Sequence, residues 1–233
     1  LGRRGKVSKV LNLPNAYPAR AFERSKDGPG GGQLVAGFPA PRFDKAAHPP
    51  ELGRALVDRG YMLEADTVRG ATDHDYLLSQ LHLSLDSRER ALDLMWTDLD
   101  WDLFVFILTE TERLFHFLFS AVEVENHPLH GAVLDFISHW DRIIGSALER
   151  YADLPGPKGL MALADHGFTR LKIEVDVNAW LRRQGYLSAA PDKARHELDH
   201  AGALETAAAF ALDPGLIYVN AQPRFNRGSL SQI

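Results

Sequence analysis

Short apolar runs along the chain predict the strands of a central sheet. Residues 9–13 are mostly apolar and end at Pro14, a pattern typical of a buried strand that runs into a loop. Residues 102–108 are almost wholly apolar and rich in β-branched and aromatic side chains, which predicts a strand buried on both faces. Residues 160–164 predict a second buried strand of this kind.

Longer segments with apolar residues at helical spacing predict amphipathic helices around these strands. The predicted helices cover residues 51–59, 75–95, 112–122 and 128–151. Asp73 is expected to cap the second helix, and a break near Ser84 is the alternative to one continuous helix there. The alternation predicts an α/β fold with a mostly parallel central sheet and helices on both faces. We therefore expect functional side chains at the carboxyl ends of the strands.

Composition narrows the classes of function. The chain has 233 residues, with 26 Lys and Arg against 31 Asp and Glu and a net charge of −5, so nucleic acid is not expected as a main partner. The absence of Cys excludes disulfides, thiolate metal sites and a Cys nucleophile. The longest apolar runs, residues 103–108 and 207–212, are too short to cross a membrane, and we expect a cytoplasmic protein.

Two polar clusters follow the two apolar strands at 102–108 and 160–164. Glu112 and His116 are four residues apart and share one face of a predicted helix. Asp165 and His166 leave the end of a predicted strand together, and Gly167 is expected to permit the turn that directs both side chains inward. Carboxylate and imidazole together suit zinc or manganese, so the clusters predict two neighbouring divalent ions. The alternative is that each is an ordinary surface pair.

We interpret the remaining polar segments as a loop and as surface residues. The glycine-rich run at residues 28–32 lacks the Lys-Ser/Thr of a P-loop and predicts a loop. We expect Arg113 to point outward as a solvated side chain rather than to contact phosphate. Surface roles are expected for a further set of histidines: His127, His130, His139, His196 and His200.

Several strings of the sequence resemble one family of enzymes. Residues 101–106 read WDLFVF, residues 109–117 read TETERLFHF and residues 164–168 read ADHGF. Together with NLPNAYP at residues 12–18, they resemble the type I phosphodiesterase/nucleotide pyrophosphatase branch of the alkaline phosphatase superfamily. The resemblance spans almost the whole chain. It implies an alkaline phosphatase-like α/β fold and a hydrolase that holds two metal ions at a Ser or Thr nucleophile.

The resemblance also implies which residues would hold the ions. One family pair maps to Glu112 and His116, where the family has Asp in place of Glu112, and the other maps to Asp165 and His166. The early Asp and the nucleophile would precede residues 9–13, and a third His would follow Arg224. We therefore expect one partial domain over residues 1–233, incomplete at both ends, with residues 169–215 as a helical insertion or cap. The catalytic residues are unknown.

The expected function is metal-dependent hydrolysis of phosphodiester or pyrophosphate bonds in a small phosphate ester or nucleotide, with the nucleophile outside this chain. The alternative is a non-catalytic α/β scaffold that binds a partner or a phosphorylated ligand. A sheet edge left without its neighbour would favour homo-oligomers.

Overall fold

The computed structural model describes residues 1–24, 31–98, 100–187, 206–213, 215–226 and 228–231. The chain divides into two units, Leu1–Arg170 and Leu171–Ile233, and each is described by itself. None of the described helices combines the length and the apolarity that a membrane crossing requires.

A mostly parallel sheet forms the centre of the first unit. Its strands are β1 (Val7–Leu13), β2 (Gly31–Ala36), β3 (Ala47–His48) and β4 (Leu103–Phe106), in the spatial order β3-β2-β1-β4. Strand β1 is parallel to both β2 and β4, whereas β3 is antiparallel to β2. The mostly parallel α/β architecture is confirmed, and so are the strands predicted at residues 9–13 and 102–108.

Five helices accompany this sheet in the described part of the first unit. They are α1 (Pro50–Asp58), α2 (Thr67–Gly70), α3 (His74–Trp96), α4 (Glu110–Glu123) and α5 (His130–Ala152). The four predicted helices are confirmed with small shifts of their ends. Asp73 caps α3, because its side chain accepts a hydrogen bond from the backbone N–H of Tyr76 at 3.0 Å. Helix α3 is continuous through Ser84, so the alternative of a break there is wrong.

Helix α3 joins two regions of the core. Its first half, including Leu81, packs with Leu114 of α4 and Phe136 of α5. Its last turns, including Leu92, pack with Leu11 of β1 and with other residues on one face of the sheet. The helix therefore fixes α4 and α5 relative to the strands, since all of these contacts are buried and apolar.

The two faces of the sheet differ. The face that carries Leu11 and Phe104 packs against helical residues. The opposite face carries Val10 and Leu103 and borders a hollow that Leu1 also lines. Helices on both faces thus stay a prediction. Strand β4 is not buried on both faces as expected, because it is an edge strand of the described sheet and its Leu103 is exposed.

The strand predicted at residues 160–164 is wrong for this structure, which has no strand there. The side chains of Leu160, Met161 and Leu163 are 59%, 78% and 85% exposed. An apolar composition favours a strand, but a strand forms only where a neighbouring strand supplies its hydrogen bonds. In the described residues, no strand pairs with this segment.

The second unit contains one short helix and one hairpin in its described part. These elements are α6 (Val177–Arg183), β5 (Ala209–Asp213) and the antiparallel β6 (Leu216–Val219). The Asn178 side chain links helix and hairpin, since it donates to the carbonyl and accepts from the N–H of Ala211, both at 2.8 Å. The insertion or cap at residues 169–215 stays a prediction, and His196 and His200 lie outside the described residues.

Candidate active site

The first candidate pair lies at the start of α4, directly after β4. Glu112 is in the first turn of the helix and His116 is one turn later, so both side chains share a face as expected. Glu112 Oε1 is 2.8 Å from His116 Nε2. The side chain of His116 is 56% exposed, and that of Glu112 is 33% exposed. Because a carboxylate oxygen can only accept, Nε2 carries the hydrogen in this contact, and a metal ion would have to take the place of that hydrogen. The pair lies where solvent reaches it.

The second candidate pair lies in the extended segment after α5. The backbone N–H of His166 donates to Asp165 Oδ1 at 3.0 Å, and His166 Nδ1 is 3.0 Å from the carbonyl oxygen of Gly167. A carbonyl oxygen can only accept, so Nδ1 carries the hydrogen and the lone pair lies on Nε2. His166 Nε2 is 3.8 Å from Asp165 Oδ2. The local backbone thus fixes the tautomer that presents Nε2 as a ligand.

Gly167 plays a smaller part than the sequence predicts. The φ angle of Gly167 is not positive, and a Cβ atom added to this residue would have no neighbouring atom within 4 Å. The expectation that a glycine is needed there to turn both side chains inward is wrong for this structure: the side chain of Asp165 is 92% exposed and that of His166 is 55% exposed.

Phe168 brings the two pairs together. The centroid of its ring is 5.2 Å from that of His116 and 5.3 Å from that of His166, in edge-on arrangements. The same ring contacts Phe115 and Phe119 of α4, with centroids 5.5 Å and 6.3 Å away. The sequence predicts that the end of a second strand brings Asp165 and His166 to the first pair. In the structure the packing of Phe168 onto α4 does this instead, and both imidazoles lie against its phenyl ring.

The donor chemistry of each pair fits part of a metal site. Imidazole nitrogen with carboxylate oxygen is a donor set for zinc or manganese, and a structural site needs about four ligands. Among the residues that the structure describes, no three or more His, Cys, Asp or Glu side chains are grouped so as to hold an ion. Each pair thus supplies two ligands, and metal binding at Glu112, His116, Asp165 and His166 stays a prediction.

Arg113 points inward, so the expectation of a solvated side chain is wrong. Its side chain is 16% exposed and lies between two carboxylates. Arg113 Nε is 2.8 Å from Glu64 Oε1, and Nη1 is 2.8 Å from Glu112 Oε2. Partial burial opposes the charge, but the hydrogen bond and the attraction of Glu64, followed by that of Glu112, raise the pKa of Arg113 above its ordinary value.

Glu110 is a residue whose role the sequence interpretation missed. Its side chain is 2% exposed, and Oε1 is 3.0 Å from Nε of Arg88, which is 1% exposed. The Ser84 hydroxyl donates to the same oxygen at 2.7 Å. A signal was present, because Glu110, Leu114 and Leu118 recur at four-residue spacing and so place the carboxylate on the buried stripe of α4.

Asn12 connects β1 to the turn before α4. It has a positive φ of 66° and is 1% exposed. Its Nδ2 donates to the carbonyl oxygen of Ile107 at 3.0 Å. Asn is one of the few residues that adopt this backbone conformation readily, so the side chain can stabilise the turn from the end of β1.

The surface role expected for His139 is wrong. Its side chain is 11% exposed, and its Nδ1 is 2.8 Å from Nδ1 of His82 on α3. His127 and His130 make local contacts at the start of α5: His127 Nδ1 accepts from the N–H of Leu129 at 3.1 Å, and His130 Nδ1 is 2.7 Å from the carbonyl oxygen of Ala121.

Comparison with known proteins identifies the family of this chain. The sequence model of the family described as type I phosphodiesterase / nucleotide pyrophosphatase matches residues 6–228. No curated protein and no solved structure matches the chain significantly. The family match includes β1, β4, the start of α4 and the Asp165-His166 segment, which are the elements that form the candidate site. The chain belongs to the type I phosphodiesterase/nucleotide pyrophosphatase family, whose members hydrolyse phosphodiester or pyrophosphate bonds.

Proposed function

We propose that this chain is a metal-dependent hydrolase that cleaves a phosphodiester or pyrophosphate bond in a small phosphate ester or nucleotide. The observation that carries the proposal is the shared contact with Phe168, because the imidazoles of the two carboxylate–imidazole pairs both lie against its ring. Family membership supports the reaction class. Glu112 with His116, and Asp165 with His166, would each hold one divalent ion, zinc or manganese.

Divalent ions at these pairs would neutralise phosphoryl oxygens and lower the pKa of an attacking group. The chain's own residues prepare the pairs for this. His166 keeps Nε2 free because Nδ1 bonds to a backbone carbonyl, and Glu112 keeps Oε1 beside His116. The exposed side chains leave access for a substrate. The nucleophile is not assigned to a residue of this chain.

The proposal is tested by metal content and turnover together. Protein purified without chelator should contain zinc or manganese in elemental analysis and should hydrolyse bis-p-nitrophenyl phosphate. His166→Ala should lose metal and activity. His127→Ala is a matched control, since His127 lies just before α5 and its contact is local. Substoichiometric metal with no turnover would refute the proposal.

A non-catalytic scaffold is the second candidate. It is favoured by the separation of Asp165 Oδ2 from His166 Nε2, 3.8 Å, and by the absence of a three-ligand group in the described residues. A scaffold that binds a partner or a phosphorylated ligand should keep that affinity in His166→Ala, whereas a hydrolase should lose turnover. Calorimetric titration of the unmodified chain and of His166→Ala with inorganic phosphate, together with the turnover assay of both proteins, distinguishes these outcomes.

A further inference from the structure

The guanidinium of Arg113 is fully engaged by residues next to the first candidate pair. Its Nε and Nη2 lie 2.8 Å and 3.4 Å from the two oxygens of Glu64, and its Nη1 lies 2.8 Å from Glu112 Oε2. Its planar face lies 4.4 Å from the centre of the Phe38 ring. Two carboxylates and one aromatic ring thus fix the position of this cation.

This arrangement also fixes Glu112. One oxygen of its carboxylate contacts Arg113, and the other, Oε1, lies 2.8 Å from His116 Nε2. A glutamate has several rotatable bonds and loses conformational freedom when it binds a ligand. Contacts to both oxygens remove that freedom before any ligand arrives, so the plane of the carboxylate is set in advance.

We propose that Arg113, held in place by Glu64, is a positioning residue that presents Glu112 Oε1 beside His116 Nε2 for a divalent cation that would replace the hydrogen on Nε2. This inference rests on the proposed function, since it assumes that Glu112 and His116 bind metal. Carboxylates that ligate metals are commonly oriented by a second partner, and loss of such a partner costs about 10–100-fold in metal affinity.

The charge of Arg113 gives the inference a sharp test. A nearby positive charge repels a divalent cation, so simple electrostatics predicts that Arg113→Met strengthens metal binding. Positioning predicts the opposite, a loss of affinity of about 10–100-fold. Arg113→Lys keeps the charge but cannot hold two carboxylates with a planar fork. Simple electrostatics therefore predicts no change for the Lys variant, and positioning predicts a loss.

Calorimetric titration of the whole chain with Zn²⁺ alone measures these effects, with unfolding temperature recorded in chelator for each variant. His116→Ala should remove binding at this pair, which tests the proposed function itself. Arg142→Met is the matched control, because Arg142 is 60% exposed and 3.8 Å from its partner Glu89 on another pair of helices. It should bind Zn²⁺ like the unmodified chain.

The outcomes separate the two proposals. If the unmodified chain binds no Zn²⁺, or if His116→Ala binds it equally well, the metal site itself is refuted. If His116→Ala loses binding but Arg113→Met and Arg113→Lys bind Zn²⁺ as tightly as the unmodified chain or more tightly, positioning by Arg113 is overturned and the metal site stands. A loss of affinity in Arg113→Lys with an unchanged unfolding temperature supports positioning even if Arg113→Met does not fold.

Discussion

Arg88 of α3 and Glu110 of α4 form an ion pair inside the protein, with Arg88 Nε 3.0 Å from Glu110 Oε1 and both side chains at most 2% exposed. Arg88 Nη2 also donates to the carbonyl oxygen of Leu63 at 3.1 Å. The pair joins α3 to the first turn of α4, two residues before Glu112. This buried ion pair therefore helps to hold the start of α4, and with it Glu112, in position.

Removal of one partner of this pair should be strongly destabilising. Arg88→Met leaves the Glu110 carboxylate buried without its cation, and we expect the free energy of unfolding to fall by about 3–5 kcal/mol. Urea denaturation followed by circular dichroism measures the change. The double variant Arg88→Met/Glu110→Leu should lose less than the single variant, because it buries no unpaired charge. Equal losses in the two proteins would contradict this account.

Stability should decrease as the solution becomes acidic, because His82 and His139 share one contact. Their Nδ1 atoms are 2.8 Å apart, so one must donate and the other accept, and both rings cannot be protonated in that arrangement. Burial, and then the charge of His139, lower the pKa of His82 below its ordinary 6.5, whereas Asp86 and Asp135 oppose the shift. A lowered pKa of a base means that the unfolded chain binds more protons.

This contribution to stability is therefore complete above pH 6.5 and is lost as the pH falls below that value. His82→Gln can still donate to His139 but does not titrate, so its denaturation midpoint should depend less on pH between about 7 and 5. His74→Gln, on the same helix, serves as the control and should follow the unmodified chain. Identical pH profiles for His82→Gln and the unmodified chain would contradict the prediction.

The hydroxyl group of Tyr61 should lose its proton only at unusually high pH. Burial is the main cause that raises its pKa to about 12, from 10.0. The folded protein holds this proton more tightly than the unfolded chain does, so the contribution to stability is present below pH 10 and is lost as the pH rises toward 12. The full effect is roughly 2–3 kcal/mol.

Tyr61→Phe removes the ionisable hydroxyl but keeps the ring. The centroid of this ring is 5.9 Å from that of Phe43 and 4.7 Å from Cζ of Arg88. The stability of the variant should fall less than that of the unmodified chain between pH 10 and 12. Absorbance at alkaline pH identifies the late-titrating phenol, and Tyr186→Phe is the control because Tyr186 is 49% exposed. Ionisation of Tyr61 near pH 10 would disprove the burial argument.

We expect the chain to self-associate through the segment at residues 160–164. Leu163 is 85% exposed and Met161 is 78% exposed, and burial of one such side chain is worth about 1.5–3 kcal/mol. Leu163→Lys should weaken association by about tenfold or more in sedimentation equilibrium. Leu148→Lys on α5, where Leu148 is 44% exposed, is the control. A monomeric unmodified chain at high concentration would end this prediction.

Local patterns predicted four of the helices and two of the strands. The period of apolar residues located α1, α3, α4 and α5 to within a few residues, because a helix buries a stripe that its own sequence defines. Asp73 was predicted as a cap for the same local reason, since its partner is the N–H of Tyr76. Glu112 and His116 meet as expected because four-residue spacing alone brings them onto one face.

Local patterns did not predict the contacts between segments that are far apart in the sequence. Residues 160–164 have a strand-like composition, yet strand formation depends on a neighbour that the local sequence does not encode. Arg113 was expected in solvent, but Glu64 and Phe38, far away in the sequence, draw it inward. His139 was expected at the surface, but the packing of α5 on α3 places it against His82.

The sequence alone determined the α/β class, two strands of the sheet, four helices to within a few residues and the family, because these depend on periodicity, capping and short motifs that neighbouring residues complete. Only the tertiary structure decided that Glu110 is buried against Arg88 and that Phe168 joins His116 to His166. Both are contacts between elements, and their free energy depends on which distant surfaces exclude water together.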